Sequence, residues 1–207
     1  MIQIDPNQLD SKENYKLLSG CVIPRPIAFV TSENENGVVN AAPFSFFNML
    51  GSNPLLIAIS VGRVDGEITK HTAKNILSQK EFVVHIVDVD MLEQMNQTAA
   101  PYKEHISEVE RANLTTVPST HISVPGIKEC KVRLECELFE HMPLGENGEY
   151  NNDLILGKVI QYHIDENVYQ ENYKIDAESL NPLARLAGPN YATLSEPLFL
   201  ERPTDTE

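Results

Sequence analysis

Three segments of this chain combine residue types that plain scaffold does not require. The first is Asn40-Ala41-Ala42-Pro43-Phe44-Ser45-Phe46-Phe47-Asn48, where hydroxyl and amide side chains sit among aromatics around a proline. Such a stretch suits a flat heteroaromatic ring such as an isoalloxazine. Its aromatics and Pro43 offer apolar contact, and Ser45 and Asn48 offer hydrogen bonds to the ring's polar edge. A tight turn with core phenylalanines explains the same composition, and composition alone favours that plainer account. The second and third segments are Ser60-Val61-Gly62-Arg63 and Thr69-Lys70-His71-Thr72. Together they bring two cations, several hydroxyls and the free N–H groups of a helix start, which is the chemistry a phosphomonoester needs. Taken singly, Thr69 reads as a helix N-cap and Lys70 as a solvated charge. A lysine in the first turn opposes the helix dipole, however, so its placement makes more sense with an anion in front of it. Arg25, held between Pro24 and Pro26, is a fourth candidate. It reads either as a fixed guanidinium that stabilises a reduced, anionic ring or as a surface arginine on an extended segment.

Other chemistries lack support. The chain has no GxGxxG, no GxxxxGK[ST] and no HExxH, and its six histidines are scattered with no spacing that suggests a Ser–His–Asp arrangement. Cys21, Cys130 and Cys136 are odd in number and lack a CxxC partner, so neither a disulfide framework nor a metal site is expected. No side chain is assigned a catalytic role. Buried thiols and a reducing cytoplasm are the expectation. The formal charge of −14 repels phosphate backbones and anionic lipid, which argues against nucleic acid and membranes as partners. The opening MIQIDPNQLDSKENYK is polar and has no apolar leader core, and the longest apolar run, 55–61, suits a buried strand.

The elements that must position these residues are mostly strands in hairpins. Residues 1–19 read as a polar lead-in with a short helical turn over 9–18. Pro24-Arg25-Pro26 must be extended. A hairpin follows from strands 27–31 and 38–42, with Asn36-Gly37 supplying the positive φ of the turn. Strand 55–61 is apolar on both faces, so both are expected to be covered. A helix over 69–78, capped by Thr69, precedes strand 81–88 and a second short helix over 89–98. Residues 99–125 read as irregular. The alternation in 131–142 and the return strand 153–164, joined through Glu146-Asn147-Gly148, give a second hairpin. The pattern is a mostly β, antiparallel barrel with inserted helices, one domain over 1–207 with a core of about 15–195 and an acidic tail.

Several pieces, in order along the chain, resemble the flavin reductase-like family, whose fold is the FMN-binding split barrel, antiparallel and Greek-key-like. They are Pro24-Arg25-Pro26-Ile27-Ala28, Asn40 to Ser45 with Phe47-Asn48, Ser60-Val61-Gly62-Arg63, and Lys70-x-Thr72 with Asn75-Ile76. Further on come Glu81-Phe82-Val83-Val84, Met95-Asn96 with Ala100-Pro101-Tyr102, and Leu180 to Leu186. The resemblance implies a six-stranded barrel homodimer with FMN near the subunit interface. By position, Pro43, Phe44, Ser45, Phe46 and Asn48 would flank the ring, with Arg25 near it. Ser60, Arg63, Lys70 and Thr72 would serve the ribityl phosphate, and Arg185 and Tyr191 would close the site. His71 stands where relatives commonly carry Asp, and Ala187 where a Gly is usual. The implied activity is NAD(P)H-dependent flavin reduction with hydride transfer to flavin N5. A flavoredoxin-like electron carrier and a non-catalytic FMN-binding module are the alternatives. Beyond flavin and nicotinamide, a redox protein or monooxygenase component is a candidate partner.

Overall fold

The computed structural model describes residues 1–64 and 69–203; the end of the acidic tail, 204–207, lies outside the described residues. Seven strands form one antiparallel sheet: β1 (Ala28–Glu33), β2 (Val39–Phe44), β3 (Phe47–Ser52), β4 (Leu55–Gly62), β5 (Glu81–Ile86), β6 (Val132–Glu146) and β7 (Glu149–Ile164). Their spatial order is β2-β1-β5-β6-β7-β4-β3. The two outermost strands, β2 and β3, are therefore neighbours in sequence, linked by Ser45 and Phe46 alone. A two-residue link spans only about 7–10 Å, so the sheet has to curl until its edges approach. The result is a barrel split along one seam.

The hairpins follow from their turns. Between β6 and β7, Asn147 and Gly148 have φ of 54° and 87°, the backbone that a tight two-residue turn demands and that Asn-Gly supplies at low cost. In the first hairpin the positive φ falls on Gly37 (77°), while the Asn34 side chain accepts from the N–H groups of Asn36 and Val38. Gly157 is small for a different reason: a Cβ there would run into the buried ring of Phe82 across the sheet.

Apolar cores lie on both sides of β1. Ala28 and Val30 join Ile57, Ile59, Val61, Phe82, Ile155 and helix α2 (His71–Gln79) inside the barrel. Ile27 and Phe29 join Met91, Met95 and Val109 outside it. The outer core is closed by helices α3 (Leu92–Thr98) and α4 (Glu108–Arg111). Helix α3 ends just before the stretch 99–125 expected to be irregular, and α4 lies within it. Helix α1 (Ser11–Cys21) lies two to three residues further along than the helical turn expected over 9–18, its start fixed by a reciprocal capping box between Asp10 and Glu13.

Three expectations are corrected. The strands covered on both faces are β1 and β5, not β4. In β4 only Ile57, Ile59 and Val61 are buried, and the residues between them are half-buried. Thr69 does not cap α2: Lys70 occupies the N-cap position, and no side-chain hydrogen bond caps the helix. The sheet has seven strands instead of six, because the segment read as turn and ring lining continues into β3, paired with β4 from Phe47↔Ile59 to Ser52↔Leu55.

Candidate functional site: a cleft at the start of α2

A cleft of ≈ 400 Å³ opens between the seam strand β2, the start of α2 and the segment after α3. Its walls are built in three parts. β2 contributes Asn40, Ala42, Pro43 and Phe44. β2 is an edge strand, and the Ala41 N–H points outward to the Glu108 carboxylate (3.2 Å). Two residues on, Pro43 occupies the same outward position, where its missing N–H costs the ladder nothing. The second wall is Lys70, His71 and Thr72 at the start of α2. The third runs from Thr98 through Ala100-Pro101 to Tyr102, with Glu108 beyond.

The α2 end of the cleft suits an anion. A helix leaves its first N–H groups without intrahelical partners. Among the described residues no side chain caps those of α2, and the helix dipole adds positive potential there. Lys70 is exposed and lines the cleft. Thr72 is buried, and its Oγ1 accepts from Asn40 Nδ2 (2.9 Å), which pins α2 to β2. The β2 end offers a flat apolar surface from Ala42, Pro43 and Phe44. Among the described residues Glu108 is the one acid set into these walls, and it is only 5% exposed. Burial pushes its carboxyl above the ordinary range, against the opposing pull of its own backbone N–H, that of Ala41, and His71. Nothing local in Ser107-Glu108-Val109-Glu110 marks this residue in the sequence; only the fold brings it to the cleft.

Of the residues singled out from sequence, the cleft brings together Pro43, Phe44, Lys70 and Thr72. The others lie elsewhere in the chain. Arg63 forms a bidentate pair with the buried Asp153 (2.9 and 2.7 Å) and lies over the Tyr150 ring. The hydrogen bond to Asp153 holds the Arg63 guanidinium protonated beyond its ordinary value. Burial pushes the Asp153 carboxyl up, but hydrogen bonds from Arg63 and His141 outweigh it, and the net direction is down. Ser60 is half-buried on β4, its N–H donating to Phe46 O (2.8 Å). Phe46 and Asn48 are exposed beyond the seam.

Arg25 is no surface arginine. It is 6% exposed and donates to Ser19 O and Val22 O (both 2.6 Å), Leu186 O (3.0 Å) and Ser45 Oγ (3.3 Å). Among the described residues no carboxylate pairs with it; the carbonyls at the C-terminal end of α1 supply the compensating negative potential. Arg185 pairs in register with Arg25 through short strands, donates to Gly188 O and stacks on Tyr191 (4.5 Å). Tyr191 Oη in turn donates to Asn96 Oδ1 (3.3 Å). At the tail's turn the left-handed backbone falls on Gly188 (φ 59°) and Ala187 is spared it. Cys130 and Cys136 are buried, with thiols pushed up by burial, whereas Cys21 is exposed.

A split antiparallel barrel has, at its seam, an apolar slot beside a lysine-bearing helix start, an arrangement whose chemistry suits a flat, phosphorylated ligand. The chain belongs to the flavin reductase like domain family, which matches residues 19–184. It is 46% identical to nitrilotriacetate monooxygenase component B from Bacillus cereus, with a TM-score of 0.94 over 97% of this chain and 98% of that one. It is 33% identical to the 2-nitrobenzoate 2-nitroreductase NbaA of Pseudomonas fluorescens, with a TM-score of 0.88 over 98% and 97% of the two chains. A protein with a split barrel domain from Shewanella frigidimarina, 21% identical, shares the fold with a TM-score of 0.85 over 98% of this chain and all of that one.

Proposed function

We propose that this protein is an FMN-binding oxidoreductase, an NAD(P)H-dependent flavin reductase, whose whole chain folds as one domain and works as a homodimer. The observation that carries this reading is the joining, in one cleft, of a flat apolar wall and an uncapped helix start with Lys70. FMN would supply the redox chemistry, accepting electrons from the nicotinamide. The protein's part is to bind and to orient. Lys70, Thr72 and the first N–H groups of α2 hold the phosphate. Ala42, Pro43 and Phe44 shield the ring. Arg63, committed to Asp153, supports the fold instead. The absence of a dinucleotide loop favours FMN over FAD. Phe46, Met49 and Leu50, exposed along the seam at 43, 67 and 56%, favour a second subunit packed there, which would let Ser45, Phe46 and Asn48 reach the partner's ring.

Similarity to a monooxygenase component supports passing electrons to a second protein through flavin. Similarity to a nitroreductase supports a second reading, in which the flavin stays bound and reduces a small aromatic. The test is an absorption spectrum and flavin release from purified protein, followed by anaerobic NADH and NADPH. FMN as the released species, bleached by one of the two, is the expected result. Release of FAD, or no flavin uptake on reconstitution, would sink it. Steady-state NADH oxidation with free FMN, compared with a nitrobenzoate, separates the two readings.

A further inference from the structure

Glu108 is an oddity in a cleft meant for an anion. Its carboxylate is buried in the lining of the same cleft as Lys70 and His71, and a phosphate seated at the start of α2 would meet it as a like charge. The carboxylate is not free to turn away. Oε2 accepts from Ala41 N–H (3.2 Å), and the adjacent Ser107 Oγ donates to Val39 O (2.7 Å), so α4 clamps the edge strand β2 at two points.

We propose that Glu108 sets the charge the cleft accepts: ionised, it opposes a phosphate at Lys70–Thr72, and it takes up a proton from solvent when that phosphate binds. This rests on the flavin-site reading above. The balance is simple. One proton moves from buffer to Oε1, while Oε2 keeps the Ala41 N–H, because a carboxylic acid's carbonyl oxygen accepts as a carboxylate does. Burial already favours the neutral carboxyl, and an incoming phosphate adds a second push in the same direction. Among the described residues, several other charged or titratable groups lie nearby. Lys70 and His71 at the start of α2 work against protonation. Lys74 is paired with Glu104 (2.6 Å). Tyr102 lines the opposite wall, and Glu110 and Arg111 on α4 itself are exposed. Among the described residues, Glu108 is thus the acid in the cleft lining that the ligand's phosphate would meet.

The experiment is calorimetric titration of flavin-free, full-length protein with FMN and with riboflavin, at pH 8, in two buffers of different ionisation enthalpy. Wild type should take up as much as about one proton per FMN and none with riboflavin. Glu108→Gln, which keeps an acceptor for Ala41 N–H, should lose that uptake and bind FMN about tenfold more tightly. His71→Asn, which removes the other group able to take a proton there, should retain the uptake. Tighter FMN than riboflavin with equal uptake in wild type and Glu108→Gln overturns the role of Glu108 and leaves the phosphate site standing. Loss of uptake in His71→Asn assigns the proton to His71 and overturns it as well. Equal affinity for FMN and riboflavin in wild type means that no phosphate sits in this cleft, and both readings fall together. Should Glu108→Gln fail to fold, the His71→Asn arm still decides.

Discussion

Lys70 and Arg63 show what can be read from residue types and what cannot. Lys70 drew notice because a cation at a helix start is locally unfavourable, a conflict the sequence alone exposes, and the structure sets it at the N-cap of α2 in the cleft lining. Arg63 looked equivalent, yet its partner is Asp153, ninety residues away, and nothing local marks the pair. The two should separate by experiment. Lys70→Ala should cost FMN about 1.5–3 kcal/mol, ten- to a hundredfold, and riboflavin little. Arg63→Ala should lower the melting temperature by stranding Asp153 while leaving the FMN-to-riboflavin affinity ratio unchanged. Titration of both ligands with thermal melts checks the pair, and equal loss of FMN and riboflavin in Lys70→Ala would remove the phosphate assignment. A second residue-scale case is His85, fully buried in β5. Ile127 N–H donates to Nε2, so Nδ1 carries the proton and donates to Phe29 O. Burial pushes this imidazole down to about 3. The unfolded chain binds a proton near pH 6.5 that the folded chain refuses until about 3. His85 therefore contributes stability that is full above 6.5 and lost as pH falls through that window. From pH 7 to pH 5, urea unfolding should show a loss of about 2 kcal/mol in wild type and clearly less in His85→Gln. Glu135 reinforces the slope only at lower pH. Burial pushes it up, but the N–H groups of Thr120 and His121 and the His163 ring outweigh that and hold it below its ordinary value.

At the scale of elements, the hairpins were legible because Asn-Gly and strict alternation are local signals with a steric cause. β3 was not, since its residues match a turn as well as they match a strand, and it becomes a strand only by pairing with β4. The two faces of β4 were misjudged because apolar content reports what a strand would bury, not which neighbours cover it. The missing cap on α2 was hidden because Thr69 has the composition of an N-cap and only the backbone reveals that Lys70 holds the position. Gly157 in β7 is a sharper test of packing. Gly157→Ala should cost about 1–3 kcal/mol by driving Cβ into the Phe82 ring. Phe82→Leu should relieve part of that in the double variant, which a denaturation cycle would detect as a non-additive term. Additive costs would mean that the two side chains do not meet.

The whole molecule is organised by its seam. The sheet curls because Ser45 and Phe46 tie its two edges together, and the candidate cleft lies on the β2 side while exposed apolar residues line the β3 side. If a second copy covers those residues, Met49→Asp with Leu50→Asp should shift light scattering from dimer to monomer and weaken FMN more than tenfold; a monomeric wild type that still binds FMN would refute this. Arg25 does at the chain's ends what that link does at the sheet's edges. One guanidinium holds carbonyls from the close of α1 and from Leu186 near the far terminus, so head and tail of the polypeptide share a single clasp. Cutting the chain before Leu186 should therefore loosen more than the tail. Amide exchange in α1, over 150 residues upstream, should quicken as though the helix itself had been trimmed.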